Sequence, residues 1–247
     1  MKKIGMIGGL GWLSTIDYYR LLCAKTNAHY ENLGVEPPLP TPHIFIESLN
    51  MHETRMLRGK EGDDASWAGF ENVFREAFGR LEAAGAEFGI IASNTPHMRI
   101  KGITKDLGFP VVSILDATAQ AVRDTGAKRA LVLGTTVTMN STVYADTMYE
   151  YGIDTFSILP EAEIDGLGKL IDYDLYQGRC DTAMDQIVGL CKKYVQNESD
   201  VVCLACTELP LAFPRHTDST CFEEQGITFV NTTVAHVDAA LARALTD

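Results

Sequence analysis

Two short stretches carry groups capable of proton chemistry, and each places them where an apolar run stops. VVCLACTELPL (201–211) breaks off into Cys206-Thr207-Glu208, and FGIIASNTPHM (88–98) breaks off into Ser93-Asn94-Thr95. A thiol with an ordinary pKa of ~8.5 becomes a base or nucleophile when nearby helix-terminal amides lower that value. ELPLAF, which follows Cys206, is expected to start such a helix. A serine hydroxyl can donate or relay a proton but is hardly ionised near neutral pH, so Ser93 is a weak base unless a neighbour accepts its proton. The plainer alternatives are a small buried thiol at Cys206 and an exposed helix-start carboxylate at Glu208.

Other motifs are weaker. Cys203 and Cys206 form a CxxC, but one pair supplies only two metal ligands. In a strand, residues three apart also point to opposite faces, so neither structural zinc nor a thioredoxin-like site is expected. GGLGWLST gives Gly9-x-Gly11-x-x-Ser14, which lacks the last glycine of a dinucleotide fingerprint, and HYENLGVEPP follows where an acidic strand end would be needed. No nicotinamide or flavin cofactor is therefore expected. GTTVTMNSTVY, with Thr135, Thr136 and Thr138, is a second glycine turn that could hold a small carboxylate on backbone amides, or could simply be a turn. The six histidines show no HxxxH spacing, and His97 follows the first strand exit closely enough to reach a ligand or serve the structure.

At 247 residues and 46% hydrophobic, the chain can bury one large core or two smaller ones. Its formal charge of −12, with no offsetting block of Lys and Arg, argues against nucleic acid as a partner. No apolar segment reaches the ~20 residues of a membrane helix, and MKKIGMIGGLGW meets glycines too early for a signal-peptide core. A cytoplasmic protein is expected, its six cysteines remaining thiols in a reducing compartment.

The elements that must position these groups follow from periodicity. KKIGMIGG, EFGIIAS, FPVVSIL, AKRALVLGTT, DTFSILP, SDVVCLAC and GITFVN read as strands, alternating with stretches of helical spacing. Trp67, Phe70, Val73, Phe74, Ala77, Phe78 and Leu81 form one apolar face of a helix that Gly85 ends, and a second helix is expected over about 182–196. The alternation predicts an α/β fold with mostly parallel sheets, helices on their faces, and ligands beyond the strand carboxyl ends. EPPLPTPHIF holds four of the nine prolines and predicts an ordered connection before a strand. The order strand, glycine turn, helix recurs in both halves, which predicts two similar lobes, residues 1–112 with 216–247 and residues 113–215. The helical TTVAHVDAALARAL would return to the first lobe.

IGMIGGLGWLSTIDYYR, ASNTPH, LGTTVTM and ACTELPL together resemble the aspartate/glutamate racemase family, and within it the L-aspartate/glutamate-specific branch, across almost the whole chain. The resemblance implies two α/β lobes related by pseudo-twofold symmetry, an active site between them, no cofactor or metal, and a homodimer. It implies that Cys206 serves one face of the substrate α-carbon and Ser93 the other, Ser93 standing where the family usually has cysteine. By the same carry-over, Asn94, Thr95 and Thr207 hold the α-carboxylate, Leu10, Thr135 and Thr138 line the glycine loops, and Glu208 accepts the ammonium or orients its neighbours. The chain departs from the family at the side-chain carboxylate. Asn50 and Met51 stand near the usual arginine and Gly166 near the usual lysine, leaving Arg55 or Lys169 to compensate. With a single thiol, a lyase or decarboxylase of the same superfamily is the alternative reading, and a catalytically weak small-carboxylate binder is a further one.

Overall fold

A computed structural model describes residues 1–60, 62–156 and 159–246. The chain divides into two compact units, residues 1–112 with 237–247, and residues 113–236.

In the first unit, β1 (Ile4–Gly8) is buried along its whole length and leads into α1 (Trp12–Asn32). β2 (Ile44–Ser48) follows the proline-rich connection and precedes α2 (Met51–Met56). α3 (Ala68–Ala83) and β3 (Phe88–Ile91) come next, then the short α4 (Ile100–Ile103). The three strands form a parallel sheet in the order β2-β1-β3, with Ile4 paired to both Ile44 and Phe88. Gly9 turns the chain out of β1 at φ +78°, and a Cβ there would lie 2.1 Å from the Leu49 carbonyl oxygen. Only glycine permits both the left-handed backbone and this approach.

The apolar face read over 67–84 is realised in α3, where Phe70, Phe74, Ala77, Phe78 and Leu81 are buried. Each large side chain removed from water in this way contributes about 1.5–3 kcal/mol. Its first turn is separate: Asp64–Trp67 form a 3-10 turn capped by the Asp63 carboxylate, which accepts from Ser66 N. Gly85, at φ +102°, follows the last turn as expected. FPVVSIL differs from its strand reading. It makes one parallel bridge, Val111 to Gly89, and Ser113 then caps α5 (Ile114–Asp124) by accepting from Leu115 N and Asp116 N. The cap ends the run before a ladder can form.

The second unit continues from α5 with β4 (Arg129–Gly134), α6 (Thr136–Asn140), α7 (Val143–Glu150) and β5 (Asp154–Thr155). α8 (Glu161–Lys169), α9 (Ala183–Tyr194) and β6 (Asp200–Ala205) follow, then β7 (Cys221–Glu224), β8 (Ile227–Asn231) and α10 (Thr232–Leu245). The sheet order is β5-β4-β6-β8-β7, parallel except for the β7–β8 hairpin. β6 is therefore central, and all six of its residues are buried. Of the strand expected over DTFSILP, Asp154–Thr155 form β5, and Ser157 and Ile158 lie outside the described residues. β7 has no counterpart in the sequence reading, because CFEE offers one buried apolar residue among polar and exposed ones.

Residues 216–236, grouped by sequence with the first lobe, count with the second unit, since β7 and β8 extend its sheet. α10 starts in that unit, where the Asn231 side chain accepts from Thr233 N and Val234 N. From Val237 onward it belongs to the first unit. There the Ala244 carbonyl accepts from Lys2 N at 2.7 Å, Asp238 pairs with Lys25 at 2.7 Å, and Arg243 lies over Phe88.

Candidate active site

β6 runs through the middle of its sheet and delivers Cys206 at its carboxyl end, only 4% exposed. The thiol Sγ donates to Glu208 Oε2 at 3.1 Å, and Thr207 Oγ1 donates to the same oxygen at 3.0 Å. Glu208 is 2% exposed, which excludes a solvated helix-start carboxylate. The helix expected from ELPLAF is a single 3-10 turn, Leu209–Ala212, with Pro210 in it. It is too short to build the aligned amide dipole that depresses a thiol pKa. The thiol is instead held well above its ordinary range, first by burial and next by the Glu208 charge. Asp172 adds in the same direction, against a backbone hydrogen bond at Glu208. Cys206 is thus a proton-bearing group at neutral pH.

The CxxC splits as strand geometry requires. Cys203 belongs to the core cluster that holds Tyr144, Ile153 and Val230, whereas Cys206 belongs to the one that holds Ile171, Leu175 and Leu209. Burial raises the Cys203 thiol and the Tyr144 phenol alike. Tyr144 and Asp172 are neighbours of this region that sequence reasoning missed. Tyr144 stands in the quoted GTTVTMNSTVY, but nothing in its spacing distinguishes a core phenol from a surface one.

The glycine turn after β4 lies beside this exit. A Cβ on Gly134 would sit 2.7 Å from the Ala205 carbonyl oxygen and 3.1 Å from Thr138 Cγ2, so the absence of a side chain brings the two strand ends together. Thr135 caps α6 by accepting from Thr138 N at 3.3 Å, and the two hydroxyls are 3.0 Å apart. The amide expected to face an anion at Thr138 is thereby directed to Thr135 Oγ1. Lys169 is exposed at the end of α8.

At the β3 exit Ser93 is half-buried, and Asn94 and Thr95 are buried. Ser93 N donates to the Ile91 carbonyl at 2.8 Å, and the Ser93 carbonyl lies 2.9 Å from His97 Nδ1. His97, fully enclosed, also donates its backbone N–H to the Asn94 carbonyl, so it shapes the turn. Ser14 Oγ reaches across from α1 to the Ala92 carbonyl at 3.0 Å, and Ala92 N donates to Ile7. The turn is therefore fixed from three sides.

Leu10 is buried in the turn after β1. Asn50 caps a helix, since its side chain accepts from His52 N and Glu53 N at the start of α2 and donates to Glu53 Oε1. Arg55, one turn further, is half-buried.

The Asp/Glu/Hydantoin racemase family model matches residues 7–240. Over its full length the chain is similar to the crystal structure of an aspartate racemase homologue from Pyrococcus horikoshii OT3, at 29% identity and a TM-score of 0.76, covering 100% of both chains. An aspartate racemase from Picrophilus torridus shares the fold at 22% identity and a TM-score of 0.73, covering 98% of this chain and 94% of that one. A curated relative, the broad specificity amino-acid racemase RacX of Bacillus subtilis (strain 168), is 26% identical over 141 residues. That match spans 57% of this chain and 58% of the relative. With the model covering nearly the whole sequence, the chain belongs to the Asp/Glu/hydantoin racemase family, and with it to the isomerases.

Proposed function

We propose that this chain is a cofactor-independent racemase of aspartate, glutamate or a closely related amino acid, working in the cytoplasm as a homodimer. Cys206 removes or returns the α-proton on one face of the substrate, and Ser93 serves the other. Asn94, Thr95 and Thr207 hold the α-carboxylate, and hydrogen-bond donors there stabilise the enediolate-like charge that develops as the proton leaves. Leu10, Thr135 and Thr138 shape the remaining wall, and Arg55 or Lys169 meets the side-chain carboxylate. The observation that carries this reading is the buried Cys206 at the end of the central strand, hydrogen-bonded to Glu208. Dimer formation has support in α1, where Trp12, Ile16 and Tyr19 recur at helical spacing and are each more than half exposed.

Ser93 keeps one other reading open. A site with a single thiol delivers a proton to one face, as a lyase or decarboxylase requires. Incubation of L- and D-amino acids in deuterated water separates the alternatives. Inversion with α-deuteration is expected. Deuteration without inversion would assign one-face chemistry, and neither, across a broad panel, would leave a small-carboxylate binding protein.

A further inference from the structure

If Cys206 is the α-proton acceptor, as the reading above has it, something must turn a buried, protonated thiol into a base. Ionisation to bulk water would put a thiolate about 3 Å from the Glu208 carboxylate in a site closed to solvent, with Asp172 a further negative charge. Two like charges at that separation disfavour the doubly ionised form, so such a pair holds one proton across a wide pH range. The Tyr144 phenol, raised by burial, contributes no positive charge to offset them.

We infer that Glu208 is the positioning residue that takes and returns the Cys206 proton, so that the working base is a buried thiol–carboxylate pair sharing one proton. The contact is already made: Sγ donates to Oε2 at 3.1 Å, and Thr207 Oγ1 fixes that same oxygen at 3.0 Å. The half-reaction on this face balances. The S–H proton moves to Oε2, leaving thiolate and carboxylic acid with no change in the charge of the pair. The thiolate takes the substrate α-proton, and the electron pair of the broken C–H bond stays on the α-carbon, spread into the substrate carboxylate. In reverse, the thiol returns a proton to carbon and the Glu208 acid reprotonates the sulfur. Glu208 then has no need to contact the ammonium group.

Two measurements on the full chain test this. The first is α-deuteration of the active amino acid as a function of pH for the parent protein, Glu208→Gln and Glu208→Asp. The second, made without substrate, is the ultraviolet absorbance of the Cys206 thiolate across pH, with Cys206→Ser as the baseline. In Glu208→Gln we expect kcat to fall at least ~100-fold at neutral pH, the scale of a lost general base, with KM changed less than ~3-fold. The variant rate should climb with pH where the parent is level, and its Cys206 should ionise at lower pH because the adjacent negative charge is gone. A raised KM with an unchanged pH profile would assign Glu208 to the ammonium and overturn the inference, as would a Cys206 titration superimposed on that of the parent. If the amide variant does not fold, Glu208→Asp decides. A kcat loss of ~10-fold or more with Cys206 still ionising only at high pH supports the pair, and an unchanged kcat overturns it. Persisting exchange in Cys206→Ala would instead sink the underlying assignment, which is a separate result.

Discussion

The ends of β3 and β6 occupy corresponding places in their sheets' chain order, yet they differ in surroundings. β3 is at the margin of a three-stranded sheet, continued among the described residues by a bridge from Gly89 to Val111, and its exit residue Ser93 is half-buried. β6 has a strand on each side, and Cys206 is almost wholly enclosed with a carboxylate on its sulfur. In the sequence Ser93 is followed by Asn94 and Thr95, whereas Cys206 is followed by Thr207 and Glu208, so an acidic partner is built into one exit and missing from the same place in the other. The lesson is that a proton site depends on its enclosure as much as on its residue type. A thiol in the middle of a sheet needs a local acceptor because water cannot be one.

The comparison breaks most decisively at Cys206. Cys206→Ala should reduce α-deuteration by ~10²–10⁴-fold, the usual contribution of a positioned acid or base. Exchange at the parental rate would remove the β6 exit from the chemistry. A gentler change makes the exits more alike: Ser93→Cys should raise inversion by roughly tenfold in the slower direction, since a thiol ionises far more readily than a hydroxyl. Initial rates from both enantiomers would show it, and no gain in either direction would count against Ser93.

Alkaline pH should separate the two units themselves. Cys191, pushed up to about 12 by burial, and Cys203 and Cys206, raised further, all lie in the second unit. Each is protonated when folded but ionised when unfolded above an ordinary thiol pKa of ~8.5. Their contribution is therefore intact below that pH and falls as pH rises toward the folded values, by up to ~1.4 kcal/mol per thiol per pH unit. Hydrogen exchange corrected for its intrinsic pH dependence should show Asp200–Ala205 losing protection before Phe88–Ile91, and simultaneous loss would refute the assignment. The smallest effect is expected at Ser14→Ala, which removes the hydrogen bond to Ala92 and should cost about 1 kcal/mol in denaturant unfolding.

Much of this was legible beforehand. Alternating apolar runs and glycine turns gave the parallel α/β plan, and the aromatic spacing of α3 located its buried face. Cys206 stood out because a polar triplet interrupts the run of β6. What escaped the sequence depended on contacts between distant residues. Whether Glu208 was solvated or enclosed, whether Asn50 faced a ligand or capped α2, and whether ELPLAF made a helix or one tight turn were all settled by packing. β7 was invisible for a related reason, since a hairpin edge needs little apolar pattern when β8 supplies the ladder.

The passage of α10 from one unit to the other has a consequence for biogenesis. Residues 113–236 are one uninterrupted length, able to collapse as soon as they leave the ribosome, whereas Met1–Val112 must wait for the segment beginning at Val237 before Lys2, Lys25 and Phe88 find their partners. The half that is translated first therefore depends on the residues translated last, and a released chain truncated before Val237 would keep every residue of the second unit and leave the first without its closing helical segment.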